Sequence, residues 1–179
     1  MTAREWFWTE GHQAEGVALT DRGILYGEGL FETFLLHRGR PFRLEEHLAR
    51  MRCSAAALEI PLPRPRWEAR VTAGLRQLVE RSGISQGRVR LTLTAGAAGP
   101  SGDPAQPAAG PGRLLLRLAP YTPPVAGLSG WRVLPAGPPV AGVRGSPPSH
   151  KSLSYLGNLL CLRQARRKGA QEGLLHTKD

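Results

Sequence analysis

Arg88-Val89-Arg90-Leu91-Thr92-Leu93-Thr94 is the clearest strand pattern in the sequence. Its apolar residues occupy every second position, which is the pattern of a β-strand with one buried face. Residues 113–118 give a second strand pattern, after sixteen residues that are all Ala, Gly, Pro, Ser, Asp or Gln. This composition predicts a mobile loop between two strands of one sheet.

Further strands are expected on the N-terminal side of this pair. Short apolar runs at residues 6–8 and 17–19 predict two short strands, and a longer strand is expected from Leu30 to Leu36. The glycines before the longer strand match neither the spacing of a phosphate-binding P-loop nor that of a dinucleotide fingerprint. Taken alone, they are a weak functional signal.

Two helical patterns lie between these strands. Apolar residues recur there at spacings of three and four, which places them on one face of each helix. The predicted core faces are Leu48, Met51, Ala55 and Leu58 in the first helix and Trp67, Val71, Leu75 and Leu78 in the second. His47 and Arg50 share a neighbouring face of the first helix, where Arg50 is either a solvated charge or a ligand for an anion such as phosphate.

Lys151 is a compositional exception, because the chain has three lysines against twenty-one arginines. A lysine amine can lose its proton in a shielded site and form a Schiff base with a carbonyl, which a guanidinium cannot do. Most lysines are nevertheless solvated surface charges. A helix is expected from Lys151, with an apolar stripe formed by Leu153, Leu156, Leu159 and Leu160, followed by a strand from Glu172.

The overall composition excludes several classes of protein. The net charge of +10 comes from dispersed arginines without a like-charge run, so nucleic acid is an unlikely partner. Cys53 and Cys161 lack metal-ligand spacing and are expected to be core thiols in a reducing compartment, with no metal site. No apolar run suits a signal peptide or a bilayer span, so we expect a soluble cytoplasmic protein without a membrane partner.

Three segments, in this order, resemble the class IV aminotransferases, also called fold-type IV pyridoxal-phosphate enzymes. They are residues 21–33 with Asp21-Arg22-Gly23 and Tyr26-Gly27-Glu28-Gly29-Leu30-Phe31-Glu32-Thr33, residues 41–50, and residues 151–158. The expected architecture is an α+β fold of two domains. Residues 1–121 form an N-terminal antiparallel sheet with helices, residues 122–130 a connection, and residues 131–179 the incomplete beginning of the second domain.

The resemblance also implies roles for individual residues. Lys151 matches the lysine that holds pyridoxal 5'-phosphate as a Schiff base and moves the substrate proton, and Arg50 matches the arginine that binds the cofactor phosphate. Tyr155 lies where many members place a tyrosine near the phenolic oxygen of the cofactor. Phe31 and His47 occupy positions that imply contact with the substrate.

The chain departs from the family pattern at two places. Ala95 stands where D-amino acid aminotransferases and several lyases have an arginine. The sequence also stops before the acidic residue that the family brings to the pyridine nitrogen of the cofactor. The 179-residue polypeptide is then a truncated or interrupted version, or one whose remainder is not included, and we expect that it binds the cofactor poorly and is inactive alone.

Within the family, residues 29–33 look most like those of the lyases. The expected reaction is that of aminodeoxychorismate lyase, which converts a small-molecule amine to 4-aminobenzoate and pyruvate for folate synthesis. Transamination of branched-chain or D-amino acids is the alternative, and a non-enzymatic remnant or basic binding module is a third possibility. A full-length form is expected to be a homodimer.

Overall fold

The chain folds into two compact units. The computed structural model describes residues 4–9, 17–63, 65–123, 130–135 and 150–175. The first unit comprises Met1–Thr122 together with Lys151–Leu153, and the second comprises Pro123–His150 together with Ser154–Asp179. Residues 124–129 of the predicted connection, and residues 136–149 after it, lie outside the described part of the chain.

Helices and strands alternate irregularly along the chain. They are β1 (Trp6–Thr9), α1 (Arg22–Leu25), β2 (Gly29–His37), β3 (Arg40–Pro41), α2 (Leu44–Ala57), α3 (Trp67–Ser82), β4 (Gly87–Thr94), β5 (Arg113–Pro120), β6 (Val133–Pro135), α4 (Leu156–Arg167) and β7 (Glu172–Leu174).

The sheet of the first unit has five antiparallel strands in the order β1-β5-β4-β2-β3. β4 lies at its centre, between β2 and β5. Its alternating sequence explains this position, because Val89, Leu91 and Leu93 all point to one face and are completely buried there. The predicted strand at residues 88–94, its partner and the α+β class are therefore confirmed.

The two longer helices share one apolar core with this sheet. The predicted core faces are confirmed, since seven of their eight residues are buried and Leu58, just past the end of α2, is partly buried against the same core. α3 comes very close to β1: a Cβ atom added to Gly74 would lie 2.6 Å from the indole of Trp8. Only glycine fits at that contact without a shift of the indole or the helix.

The predicted strand at residues 17–19 is wrong. A turn at Thr20 leads instead into α1, which starts where the carboxylate of Asp21 accepts a hydrogen bond of 2.8 Å from the amide of Gly23. This aspartate cap satisfies an N–H group that the helix itself leaves without a partner. A run of three apolar residues carries too little information to distinguish a strand from such a turn.

Residues 97–112 form a loop, as predicted, and hydrogen bonds tie this loop to other parts of the first unit. The amide of Ala98 donates to the carbonyl of Thr20 at 2.8 Å, and Nη2 of Arg22 donates to the carbonyl of Pro104 at 2.9 Å. At the far end, the amide of Gly112 donates to the carbonyl of Pro61 at 3.0 Å. The loop composition could not reveal these contacts, because their partners come from elsewhere in the sequence.

The second unit contains α4 and a parallel pair formed by β6 and β7. The helix expected from Lys151 begins only at Leu156. The predicted leucine stripe is wrong as a core face: Leu156 is 63% exposed and Leu159 40% exposed, whereas Cys161 and Ala165 are buried. The buried face of α4 is formed by its small residues, because Gly173 of β7 lies in direct contact with Cys161.

The other boundary predictions are partly met. The strand expected from Glu172 is present as β7. Cys161 is a buried thiol as expected, but Cys53 is exposed, because it lies on the outer side of α2. In the described residues, no helix combines the length and the apolar character needed to cross a bilayer.

Candidate active site

Lys151 belongs to a short extended segment that pairs with β2. The amide of Phe31 donates to the carbonyl of Lys151 at 2.8 Å, and the amide of Leu153 donates to the carbonyl of Gly29 at 2.9 Å. Leu30 and Ser152 form an antiparallel bridge between these bonds. The expectation of a helix at Lys151 is therefore wrong, because the backbone of this lysine is fixed by a strand of the first unit.

Gly29 makes this pairing possible. A Cβ atom at position 29 would lie 2.5 Å from the carbonyl oxygen of Leu93 and 2.6 Å from Cδ1 of Leu153. Both distances are far below an ordinary van der Waals contact, and one of the two atoms belongs to the backbone of β4. The missing side chain therefore lets the lysine segment lie directly on β2.

The side chain of Lys151 lies against an aromatic ring. Its Nζ atom is 4.7 Å from the ring centroid of Phe31, and Cζ of Arg90 is 3.7 Å from the same centroid. The Phe31 side chain is itself buried. An amine beside a buried ring is shielded on that side from water, which is the setting in which a lysine can act as a nucleophile.

A second cluster surrounds Glu32, the next residue of β2. Its carboxylate accepts two hydrogen bonds from Arg50, of 2.7 Å from Nε and 2.5 Å from Nη2. The same carboxylate lies 2.8 Å from Nδ1 of His47. His47 and Arg50 reach it together because they are one turn apart on α2.

The charges in this cluster stabilise one another. Burial by itself raises the pKa of the Glu32 carboxyl, but the hydrogen bonds from Arg50 and His47, together with their charges, outweigh this effect and leave the pKa below its ordinary value. The hydrogen bonds to Glu32 raise the pKa of the Arg50 guanidinium in return. Glu32 is therefore held as a carboxylate although it is only 1% exposed.

Arg50 is buried on one side only. The side chain of Glu32 is almost completely enclosed, whereas that of Arg50 remains 49% exposed. A bidentate carboxylate fixes the plane of a guanidinium, and the remaining N–H groups of such a group can donate to an incoming anion. The cluster thus presents an oriented cation at the surface of the first unit.

The predicted site residues fall into two groups, each beside a different residue of β2. Lys151 lies with Phe31, and Arg50 and His47 lie with Glu32. Since neighbouring side chains of a strand point to opposite faces, the two groups start from opposite sides of β2. Tyr155 lies in the second unit, immediately before α4, and its contact with the cofactor remains a prediction.

Glu32 is the site residue that sequence reasoning missed. The available signal was an acidic residue at an inward position of an apolar strand, followed by a histidine and an arginine one helical turn apart. A carboxylate at such a position needs cationic partners, because an unpaired buried charge is costly. In the described residues, no group of three or more His, Cys, Asp or Glu side chains could hold a metal ion.

Comparison with known proteins identifies the family of the chain. Residues 29–179 match the family model described as amino-transferase class IV. The chain belongs to the class IV aminotransferases. This confirms the resemblance inferred from the three sequence segments.

The chain is similar to family members with different activities. It is 32% identical over 173 residues to a D-alanine aminotransferase of Listeria monocytogenes, covering 89% of this chain and 54% of that protein. It is 31% identical over 160 residues to a bifunctional aminodeoxychorismate lyase / D-amino acid transaminase of Mycobacterium tuberculosis, with the same coverage of both chains. The chain thus spans about half the length of these relatives.

Solved structures show the same fold. The fold IV transaminase CpuTA1 of Curtobacterium pusillum superposes with a TM-score of 0.72 at 30% sequence identity, covering 94% of this chain and 56% of that protein. Class IV aminotransferases use pyridoxal phosphate. The residues present here fit that group: Lys151 offers an amine for its aldehyde, and Arg50 offers an oriented, half-exposed guanidinium for its phosphate.

Proposed function

We propose that this chain carries the lysine-bearing part of a pyridoxal-phosphate enzyme, and that the enzyme is an aminodeoxychorismate lyase. The observation that carries the proposal is the placement of Lys151, whose backbone is bonded to β2 and whose amine lies against the buried ring of Phe31. A solvated surface lysine would have neither constraint.

Each cluster has a defined task in this proposal. Arg50 binds the cofactor phosphate while Glu32 holds the plane of its guanidinium, and His47 supports the same carboxylate. The bound cofactor withdraws electrons from the substrate carbon, which makes its proton acidic. Lys151 would hold the cofactor covalently, and its amine, once released by exchange with the substrate amine, would take and return that proton at its Nζ atom. Phe31 limits the access of water to this amine from one side, and Tyr155 contacts the phenolic oxygen of the cofactor.

One sequence feature supports the lyase reaction: residues 29–33 resemble those of the lyase members. Ala95 weakens the case for a D-amino acid aminotransferase but does not favour the lyases, because several lyases also have an arginine at this position. One of the relatives has aminodeoxychorismate lyase activity in its name. The substrate is then a small-molecule amine, the products are 4-aminobenzoate and pyruvate, and the complete enzyme is a homodimer in the cytoplasm.

Transamination is the second candidate. It is favoured by the similarity to D-alanine aminotransferase over 89% of this chain. Both reactions begin with removal of a proton by the lysine, so the residues of the first unit suit either one. They differ in whether an amino group is transferred to a keto acid.

Binding of the cofactor tests the enzyme class. Because the 179-residue chain is expected to bind the cofactor poorly, pyridoxal phosphate is added in large excess, and a weak visible absorbance band is expected that Lys151→Ala abolishes. Lys168→Ala is the matched control, because Lys168 is an exposed lysine after the last turn of α4. A band that survives Lys151→Ala would refute the role of this lysine, and salt-dependent nucleic-acid binding without a band would favour a basic binding module.

Assays of turnover distinguish the two reactions. A version extended to the length of the relatives is incubated with aminodeoxychorismate, and separately with D-alanine and 2-oxoglutarate. Release of 4-aminobenzoate is the expected result, whereas transfer of the amino group without aminobenzoate would refute the lyase reaction. The 179-residue chain is expected to be inactive under the same conditions, and robust turnover by it would contradict that expectation.

A further inference from the structure

Arg22 joins two parts of the first unit that are far apart in the sequence. Its Nε atom donates to the carboxylate of Glu28 at 2.5 Å, and its Nη2 atom donates to the carbonyl of Pro104 at 2.9 Å. Glu28 immediately precedes β2, whereas Pro104 lies in the loop of residues 97–112. One guanidinium therefore holds both the entry to β2 and the middle of this loop.

Arg22 is a buried cation. It is only 5% exposed, and its Cζ atom lies 5.0 Å from the ring centroid of Tyr26. Its Nη1 atom is also buried and has no hydrogen-bond partner among the described residues. A buried donor without a partner costs free energy, so stability alone does not explain an arginine at this position. The contact that requires a planar group with several donors is the simultaneous one with Glu28 and Pro104.

The position of Glu28 determines where the lysine segment binds. The amide of Glu28 donates to the carbonyl of Arg22 at 3.2 Å, and its carbonyl accepts a hydrogen bond of 3.0 Å from the amide of Ala95. The next carbonyl, that of Gly29, accepts the hydrogen bond from the amide of Leu153. A displacement of Glu28 is thus transmitted through one peptide unit to the lysine segment.

Glycines stand on both sides of Glu28. Gly27 has a φ of +68°, and Gly29 lies too close to its neighbours to carry a side chain. Because glycine has the widest backbone freedom, the turn that leads into β2 is costly to order. The ion pair with Arg22 supplies a side-chain anchor for this turn, which the two glycines cannot provide.

We propose that Arg22 is a positioning residue that couples the loop of residues 97–112 to Lys151. This inference rests on the proposed role of Lys151 as the amine that holds the cofactor. While the loop is attached, Pro104 orients the guanidinium of Arg22, and this guanidinium holds Glu28. Detachment of the loop weakens that hold and loosens the pairing of the lysine segment with β2. Movement of the loop therefore changes how firmly the backbone of Lys151 is fixed.

Amide hydrogen exchange, followed by NMR in the purified 179-residue chain, tests this coupling without added cofactor. The amides of Phe31 and Leu153 report on the lysine segment, because they donate the two hydrogen bonds that join it to β2. The amide of Leu78 in α3 is the reference. Arg22→Gln is expected to speed exchange at Phe31 and Leu153 about 5- to 150-fold relative to Leu78, the range of typical coupling between sites.

A change in the loop provides a second variant that leaves Arg22 in place. Replacement of residues 101–106 by Gly-Ser removes the carbonyl of Pro104. It is expected to speed exchange of the same two amides, by less than Arg22→Gln does. Combined with Arg22→Gln it is expected to add no further effect, because both changes interrupt one chain of contacts.

Arg113→Gln is the matched control. The guanidinium of Arg113 also lies beside the loop and faces a buried acid, with its Nε atom 3.8 Å from the carboxylate of Asp21. Its side chain is 51% exposed, so loss of this ion pair should have little effect. Exchange at Phe31 and Leu153 is expected to stay unchanged relative to Leu78.

A second measurement on the same proteins follows the amine itself. The concentration of pyridoxal phosphate that gives half of the Lys151-dependent absorbance band is expected to rise in Arg22→Gln and in the loop variant. In Arg113→Gln it is expected to equal that of the parent chain.

The possible outcomes separate this inference from the proposed function. Equal acceleration of Phe31, Leu153 and Leu78 in Arg22→Gln would show that Arg22 only stabilises the fold, and would overturn the coupling. Unchanged exchange of the lysine segment in the loop variant would overturn it as well, even if Arg22→Gln does not fold. Absence of the absorbance band in the parent chain would refute the cofactor chemistry instead, while selective acceleration at Phe31 and Leu153 would still support the coupling.

Discussion

At the scale of the residue, Glu32 determines how Arg50 is presented. Its carboxylate is buried yet charged, and it holds both the arginine and His47 on one turn of α2. An arginine fixed in this way loses less side-chain entropy when an anion binds, so part of the binding free energy is already provided by the fold. The buried carboxylate of Glu32 therefore positions the half-exposed guanidinium of Arg50.

Glu32→Gln is expected to lower the free energy of unfolding at neutral pH by about 1–3 kcal/mol, because the buried acceptor loses its charge while Arg50 and His47 remain. The pKa of Glu32 in the folded state is below its ordinary value of 4.5, so its contribution is present above that value and is lost as the pH falls through the folded pKa. Urea unfolding of both proteins should show a difference that is largest at neutral pH and shrinks in acid.

Glu5→Gln is the control for this experiment. Glu5 also forms a bidentate pair with an arginine, Arg117, but here the side chain of the acid is 38% exposed and that of the arginine 45% exposed. Exposed pairs of this kind contribute little to stability. A loss of stability in Glu5→Gln equal to that in Glu32→Gln would show that burial is not the source of the effect.

At the scale of the element, β2 connects the whole candidate site. It pairs with β4 from Gly29 to Leu36, carries the lysine segment at its start, and points Phe31 and Glu32, around which the two clusters form, to opposite faces. A shift of this strand by one residue would exchange the two clusters between its faces. Its register is therefore as important for the site as the residues themselves.

Gly29→Ala is expected to weaken the pairing of the lysine segment with β2. The new methyl group would overlap with Leu153 and with the carbonyl of Leu93, at a cost of about 1–3 kcal/mol typical of overpacking. Loss of the Lys151-dependent absorbance band in a folded protein is the measurement. Gly99→Ala is the control, because a Cβ atom at Gly99 has no neighbour within 4 Å. Equal bands in both variants would contradict the expectation.

The sequence predicted those elements whose pattern is local. The alternation in β4 and the apolar faces of α2 and α3 depend on residues close in the chain, and each was confirmed. The conformation of Lys151 could not be predicted in this way, because its partners are more than a hundred residues away on β2. The sequence after Lys151 also continues without a break into the apolar pattern of α4. The sequence alone therefore does not separate the extended segment from the helix that follows it.

The candidate site shows the same division. Lys151 and Arg50 could be found because family resemblance marks them, but the role of Glu32 required distances between a strand and a helix. The leucines of α4 gave a misleading signal, since a stripe of large apolar residues is usually buried, whereas here Cys161 and Ala165 are. Each of these placements depends on contacts between different helices and strands, which composition does not reveal.

At the scale of the whole molecule, the described parts of the two units differ in how much apolar surface they bury. Among the described residues of the first unit, eighteen buried hydrophobic residues form its core. In the second, the buried hydrophobic residues of the described part are Cys161, Ala165 and Ala170, all of them small. Because stability follows buried apolar area, the two units should open at different free energies.

Hydrogen exchange measured by mass spectrometry tests this difference. Amides of α4 are expected to exchange at a lower opening free energy than those of α3, although both are helices of three or more turns. α2 provides a second reference helix in the first unit. Equal protection of α4 and α3 in the purified chain would show that the second unit is stabilised by contacts other than this small core.

The bridge between Leu30 and Ser152 also sets an order of events during synthesis. These residues are 122 positions apart, so the strand that receives the lysine leaves the ribosome long before the lysine does. The core of the first unit can form around an empty position beside β2, and the loop that brings Lys151 there must close afterwards, against its entropy. Lys151 can thus be added to a sheet that has already folded, and an interrupted nascent chain would carry the Glu32–Arg50 pair without the lysine.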